Sequence, residues 1–222
     1  MGKMIVVEGA DGAGKGTQVK LLYDRLVVKG AKVEIFDFPR YHKSTGKLVG
    51  EVLAGKHGDF LQTSPYLAAI PYMLDRAAAR DELNAALAES DVVLCNRYIP
   101  SNLAYGSAKL PEPHERIAYT RFVEDIEYGE LRMPKPDMVV YLAVSVDVAR
   151  ALIMKKAARE YLDGQAQDQH EADIAYQAKV AACYREIASQ NERWRIIECV
   201  CDGILLAPDD VHALVWQELA VM

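Results

Sequence analysis

The chain is short of the features that mark secreted, membrane-spanning and nucleic-acid-binding proteins. Its 222 residues hold four cysteines, Cys95, Cys183, Cys199 and Cys201, with neither the spacing of a metal site nor the density of a disulfide scaffold. Cys95 and Cys199 fall in strand-like runs, so buried, reduced thiols and a cytoplasmic location are expected. No uninterrupted apolar run approaches the ~20 residues that span a bilayer, and the run Met4 to Val7 is too short for a signal peptide. Positive charge is also scarce. Lys and Arg total 26 against 32 Asp and Glu, a net charge of −6 with no long basic stretch. That balance argues against a general nucleic-acid or membrane-surface role, and any anionic ligand must be captured by local cations. Internal repeats are missing, as is a linker long enough to divide the chain. One domain over residues 1–222 is therefore expected, large enough to bury about 70% of its unfolded surface.

What the chain does have is regular alternation of strand-like and helix-like segments. Strands are predicted at 3–8, 32–37, 91–95, 137–143 and 194–198. Helices are predicted at 15–29, 44–55, 65–88, 114–128, 147–160, 171–190 and 208–220. Such alternation predicts an α/β fold, a five-stranded parallel sheet flanked by helices on both faces. Pro71 lies inside the long third helix and is expected to kink or split it, because proline removes a backbone donor. Lys155 to Gln169 is polar and weakly periodic, and a segment of this kind between two good helices reads as a mobile lid over about 155–170.

The most specific local signal is Gly9-Ala10-Asp11-Gly12-Ala13-Gly14-Lys15-Gly16-Thr17, which follows the first predicted strand and opens the first predicted helix. Strand, glycine-rich turn and helix N-terminus together make a phosphate cradle, since glycines let backbone N–H groups approach the phosphates and the helix dipole favours negative charge. Lys15 would reach the transferring β- and γ-phosphates. Gly16 stands where a Ser or Thr usually follows the lysine, so no hydroxyl is offered there to Mg2+, although Thr17 can still donate to a phosphate.

Four further segments follow in order: Asp37-Phe38-Pro39-Arg40-Tyr41, Met73-Leu74-Asp75-Arg76, Asn96-Arg97-Tyr98 running on to Asn102 and Tyr105, and Asp168 to Asp173 with Tyr176 and Tyr184 beyond. With Glu8-Gly9-Ala10-Asp11 they cover nearly the whole chain, and the set resembles the thymidylate kinases, a branch of the P-loop nucleoside monophosphate kinases. The resemblance implies a P-loop kinase fold with a lid, and phosphorylation of dTMP to dTDP by ATP with Mg2+ as cofactor. It also implies a homodimer, with no nucleic-acid or membrane partner. Carried onto this sequence, it implies a dTMP site of Asp11, Phe38, Pro39, Arg40, Tyr41, Tyr72, Arg76, Arg97, Asn102 and Tyr105. Tyr72 would stack on the base against a wall of Phe38 and Pro39. Arg76 with Asn102 would read thymine, with Arg76 donating to O4. Tyr105 would crowd the sugar 2′ position, and Arg97 would clamp the acceptor phosphate through its planar fork. Singly, each residue has a plainer reading: Arg76 as a surface ion pair with Asp75, Tyr72 and Tyr105 as core aromatics, Asn102 as a helix cap.

Two departures from the resembled pattern bear on the metal. Asn96 stands where Asp is usual, keeping an acceptor oxygen but losing a charge. With Gly16 also bare, the expected metal ligands are Asp11, Asp168 and Glu171, although Asp168 and Glu171 read equally well as helix caps. Gly12 leaves the loop without an arginine. The catalytic set is therefore expected to be Lys15, Arg97 and the lid cation Arg159, preferred over Lys155 and Lys156 because guanidinium can bridge two phosphoryl oxygens. The alternatives are a kinase for another nucleoside monophosphate, or a nucleotide-binding protein that has lost catalysis. Asn96 and Gly16 favour the second of these; Lys15, Arg97 and the charged lid argue against it.

Overall fold

The computed structural model describes residues 2–145, 148, 173–201 and 203–219. Five parallel strands form the sheet: β1 (Lys3–Gly9), β2 (Val33–Asp37), β3 (Val92–Asn96), β4 (Met138–Ala143) and β5 (Trp194–Glu198), in the order β2-β3-β1-β4-β5. All five fall within a residue of their predicted bounds. β1 and β4 read as unbroken apolar runs because both faces of their pleat are covered. Met4 and Val6 enter one core and Ile5 and Val7 the other, as the two-residue period of a strand requires.

Helix α1 (Lys15–Val28) and the C-terminal α8 (Pro208–Leu219) cover one face through Val19, Leu22, Val211 and Val215. The other face carries α3 (Pro65–Ala77), α4 (Arg80–Glu89), α5 (Ile99–Ser107), α6 (Pro113–Glu124) and α7 (Ile174–Ser189). Helix α2 (Ser44–Leu53) packs on α3, and a short antiparallel pair, β6 (Val200–Cys201) with β7 (Ile204–Leu205), follows β5. The predicted segments 147–160 and 155–170 lie outside the described residues, apart from Val148.

Besides the β6–β7 pair, which was not expected, three helical elements differ from expectation. The predicted helix 65–88 does divide, but at Ala78–Ala79 rather than at Pro71, which stays inside α3. Ala79 is fully buried, its N–H tightened onto the Arg76 carbonyl, and α4 begins at the next residue. The predicted helix 114–128 widens after Glu124 into a π-helical turn, Asp125–Glu130, which points Glu127 into the interior. Helix α5 was not expected at all. Its start carries a signal, Pro100 in the first turn, where the missing N–H costs nothing. Close packing against α6 explains its glycine, since a Cβ at Gly106 would sit 2.1 Å from the buried Tyr119 ring.

Candidate active site

The carboxyl ends of β1, β2 and β3 open onto one cleft, walled by α3, α5 and the start of α7. This is where an open α/β sheet gathers its ligands. At the end of β1 the backbone turns through Gly9 (φ 148°), where a Cβ would meet the Leu142 carbonyl at 2.8 Å, and enters α1 from Gly14 at φ 86°. Both conformations favour glycine. Lys15 opens α1 and folds back over the loop, its Nζ donating to the Gly9 and Ala10 carbonyls at 3.0 and 2.8 Å with Asp11 at 4.0 Å. The ammonium is thus held at the centre of the cradle.

Arg97 follows β3 with φ 62°, a left-handed conformation uncommon outside glycine and a mark of an over-determined site. Its Nη2 donates to Asp11 at 2.6 Å, and the Tyr105 hydroxyl donates to the other Asp11 oxygen at 3.2 Å. Burial opposes the Arg97 charge, but Asp11 outweighs it and the pKa is raised. Beneath this group lies Glu8, fully buried at the end of β1. It accepts from the Tyr98 N–H (2.8 Å), the Ser101 N–H and hydroxyl (3.2 and 2.7 Å) and the Tyr184 hydroxyl (2.8 Å). Glu8 therefore ties β1 to the strained turn after β3 and to α7.

Phe38, Pro39, Tyr41, Tyr72, Arg76, Asn102 and Tyr105 all line the cleft, and the Phe38–Pro39 peptide is cis. Arg40 does not. Its side chain is buried behind the wall, where it donates to the Asp75 carboxylate and carbonyl at 3.4 and 3.0 Å and to Glu82 at 3.4 Å. Asp75 is buried and takes Thr45 and Arg40 as partners, so the adjacent-residue pair of Asp75 with Arg76 is not formed. Arg76 instead donates through Nε at 2.7 Å and through Nη2 to the fully buried Glu127, and through Nη1 to the Tyr98 carbonyl at 3.5 Å. Burial works against the Arg76 charge, and Glu127 more than restores it.

Asn102 donates to the Ala69 carbonyl at 3.3 Å, and its own carbonyl accepts from Tyr119 at 3.1 Å. Lys109 also borders the cleft and pins the turn before α3 through the Phe60 and Thr63 carbonyls, while burial lowers its pKa to about 8. The expected site residues Arg159, Asp168 and Glu171 lie outside the described residues, as do Lys155 and Lys156.

Sequence reading gave no site role to Glu8 or Ser101, although both lie inside the motif segments, nor to Lys109 or Glu127. Glu8 had a signal, a lone carboxylate closing an apolar strand. Glu127 had none, because its partner is 51 residues away and only the π-turn aims it inward.

Comparison with known proteins agrees with this geometry. The family model described as thymidylate kinase matches residues 7–200. A thymidylate kinase of Mycobacterium tuberculosis is 38% identical over 217 residues, covering 94% of this chain and 99% of its own length. One from Bradyrhizobium is 32% identical over 223 residues, covering 97% and 88%. Among solved structures, a thymidylate kinase from Candida albicans superposes with a TM-score of 0.72 at 23% identity, covering 99% of this chain and 92% of the other, and so shares the fold. A match that runs nearly end to end in sequence, on a backbone that also agrees, makes this protein a member of the thymidylate kinase family.

Proposed function

We propose that the chain phosphorylates dTMP to dTDP with ATP, the loop Gly9–Thr17 cradling the ATP phosphates and the cleft between α3 and α5 taking the nucleotide acceptor. The observation that carries this reading is the Arg97–Asp11–Tyr105 group, which stands between Lys15 on one side and the aromatic cleft on the other. A phosphate held by Arg97 would lie between the donor loop and a bound base. Transfer then needs little covalent chemistry from the protein. It needs the two phosphates in line and their charge neutralised.

Within that reading, Phe38, Pro39 and Tyr72 make the apolar walls for the base, and Arg76 with Asn102 presents donors to it. Arg97 clamps the acceptor phosphate, and Tyr105, held by Asp11, limits room beside the sugar. The acceptor phosphate is already an anion, so no strong general base is required. Arg159, from the 155–170 segment, is proposed as the guanidinium that Gly12 does not supply. The direct test is a steady-state screen of nucleoside monophosphates with ATP and Mg2+. Preferred turnover of dTMP is expected. A preference for AMP or CMP would move the chain to another branch of the kinases, and no turnover with any monophosphate would mean that catalysis has been lost.

Mg2+ is proposed as cofactor; when bound to nucleotide it neutralises charge on the phosphoryl oxygens. Asp11, the expected ligand among the described residues, also accepts from Arg97 and Tyr105 through its two carboxylate oxygens and remains the proposed ligand there.

A homodimer is also proposed. Leu67, Ile70 and Leu74 lie at i, i+3 and i+7 on α3 and are 62%, 50% and 49% exposed, an apolar stripe suited to a second copy. Leu67→Lys with Leu74→Lys should convert a dimer to monomer in sedimentation, and an unchanged mass would remove α3 from the interface. Among the described residues no helix is long and apolar enough to cross a membrane. Burial raises the thiol pKa of Cys95, Cys183 and Cys199, which suits the proposed reducing, cytoplasmic setting.

A further inference from the structure

The proposed base slot runs between α3, which brings Ala69, Tyr72 and Arg76 to the cleft, and α5, which brings Asn102 and Tyr105. A flat ring between two helices is gripped only if the helices keep their distance. Asn102 ties the two walls by donating to the Ala69 carbonyl at 3.3 Å, but Asn102 is also proposed to read the base. Lys109, just past the end of α5, makes a second tie that the function proposed above does not use.

Lys109 stands where α5 presents its last carbonyls, the end of a helix dipole that favours a cation. Its ammonium donates to the carbonyls of Phe60 and Thr63 in the turn before α3, the second at 3.0 Å. Nζ also lies 4.5 Å from the centre of the Phe60 ring, within reach of a cation–π contact. That ring is buried, and its centre is 6.3 Å from the ring of Tyr72, the side chain proposed to stack on the base. The turn is braced from within. Asp59 accepts from the N–H groups of Leu61 and Gln62 at 2.9 and 3.3 Å, and its carbonyl accepts from the Thr63 hydroxyl at 3.0 Å. A braced turn moves as one piece, so a tie at two of its carbonyls places Phe60, and Phe60 backs Tyr72. Burial opposes the Lys109 charge, and Asp59 on the same turn supports it.

We propose that Lys109 is a positioning residue for dTMP: by tying the turn 59–63 to the end of α5 it fixes Phe60 behind Tyr72 and so sets the grip of the slot on the base. The inference rests on the assignment of this cleft to dTMP. Lys109 acts through the wall and needs no contact with the nucleotide. The tie asks for a cation with more than one donor. Methionine would keep the apolar stem but leave two carbonyls without their donor, whereas the planar fork of arginine can serve both carbonyls and lie on an aromatic face.

Calorimetry of dTMP binding and steady-state kinetics test this together. Lys109→Met should raise the Kd and KM for dTMP about 3–10-fold, the size of a lost hydrogen bond. Its kcat and its KM for ATP should stay within about twofold, because a wall grips the base alike in the ground and transition states. Lys109→Arg should restore the affinity for dTMP. In a Tyr72→Ala background Lys109→Met should add little, since the wall through which it acts is gone. Unchanged dTMP affinity in Lys109→Met overturns the proposal. So does a fall in kcat as large as the rise in KM, an equal loss of ATP affinity, full additivity with Tyr72→Ala, or a Lys109→Arg variant no better than Lys109→Met. If Lys109→Met fails to fold, Lys109→Gln, which keeps a neutral donor, carries the test; weaker dTMP binding is expected there too, and unchanged affinity overturns the role. If the unmodified protein binds no dTMP, the assignment of the cleft itself falls, and the role of Lys109 with it.

Discussion

Lys15→Ala is expected to lower turnover by about 10²–10³-fold or more while leaving dTMP affinity close to that of the unmodified protein. The magnitude is that of losing one preorganised charged donor from a transition state. The asymmetry follows from position. Lys15 sits over the Gly9 and Ala10 carbonyls inside the donor loop, with Asp11 and Arg97 standing between it and the base cleft. On the proposed assignment its ammonium would act on phosphates whose charge shifts during transfer and would barely touch a bound monophosphate in the ground state. The substitution also leaves two loop carbonyls without their donor, so a melting curve must accompany the kinetics. Calorimetry showing dTMP binding lost in proportion to turnover would mean that the loop and the acceptor site are not separate, and the assignment of Lys15 to the donor phosphates would fail.

Sequence made the sheet legible because β1 and β4 are buried on both faces and read as short unbroken apolar runs, Met4-Ile5-Val6-Val7 and Met138-Val139-Val140-Tyr141, of strand length. The loop was legible for a similar reason: glycines at 9 and 14 answer a backbone requirement that can be seen from sequence alone. The base-facing wall was reached through resemblance, and the structure does bring Phe38, Pro39, Tyr72, Arg76 and Asn102 around one cleft. What could not be read was which charge pairs with which. Arg40 and Asp75 find each other across 35 residues, and Arg76 and Glu127 across 51. Those pairings depend on where α3 turns at Ala79 and where α6 loosens into a π-turn, and neither break has a local sequence cause as plain as a proline. Pro71 marks the contrast, being tolerated inside α3 where a break was expected.

The buried pair Arg76–Glu127 supports the other large prediction, because in the proposed site it would couple stability to base choice. Arg76 is 2% exposed and Glu127 0%. Truncating either one strands a charge in the core, which costs about 3–5 kcal/mol. Against a total stability of about 5–15 kcal/mol that is severe, so Arg76→Ala and Glu127→Leu should each melt far below the unmodified protein. Replacing both, as Arg76→Met with Glu127→Leu, removes the stranded charge and should recover most of the stability, since apolar substitutes for a buried ion pair are often neutral or better. Selectivity should behave differently. In the proposed site Arg76, with Nε and Nη2 held by Glu127 and Nη1 donating to the Tyr98 carbonyl, would offer its remaining Nη1 hydrogen to the O4 of thymine and would meet the amino group of cytosine donor to donor, a mismatch that a site built on hydrogen bonds rejects strongly. The double variant should therefore fold well yet lose about 1–3 kcal/mol of its preference for dTMP over dCMP. Glu127→Gln, which keeps the shape and loses the charge that orients the guanidinium, should fall between the two. If the double variant keeps the full preference for dTMP, Arg76 and Glu127 hold the fold together and do not read the base.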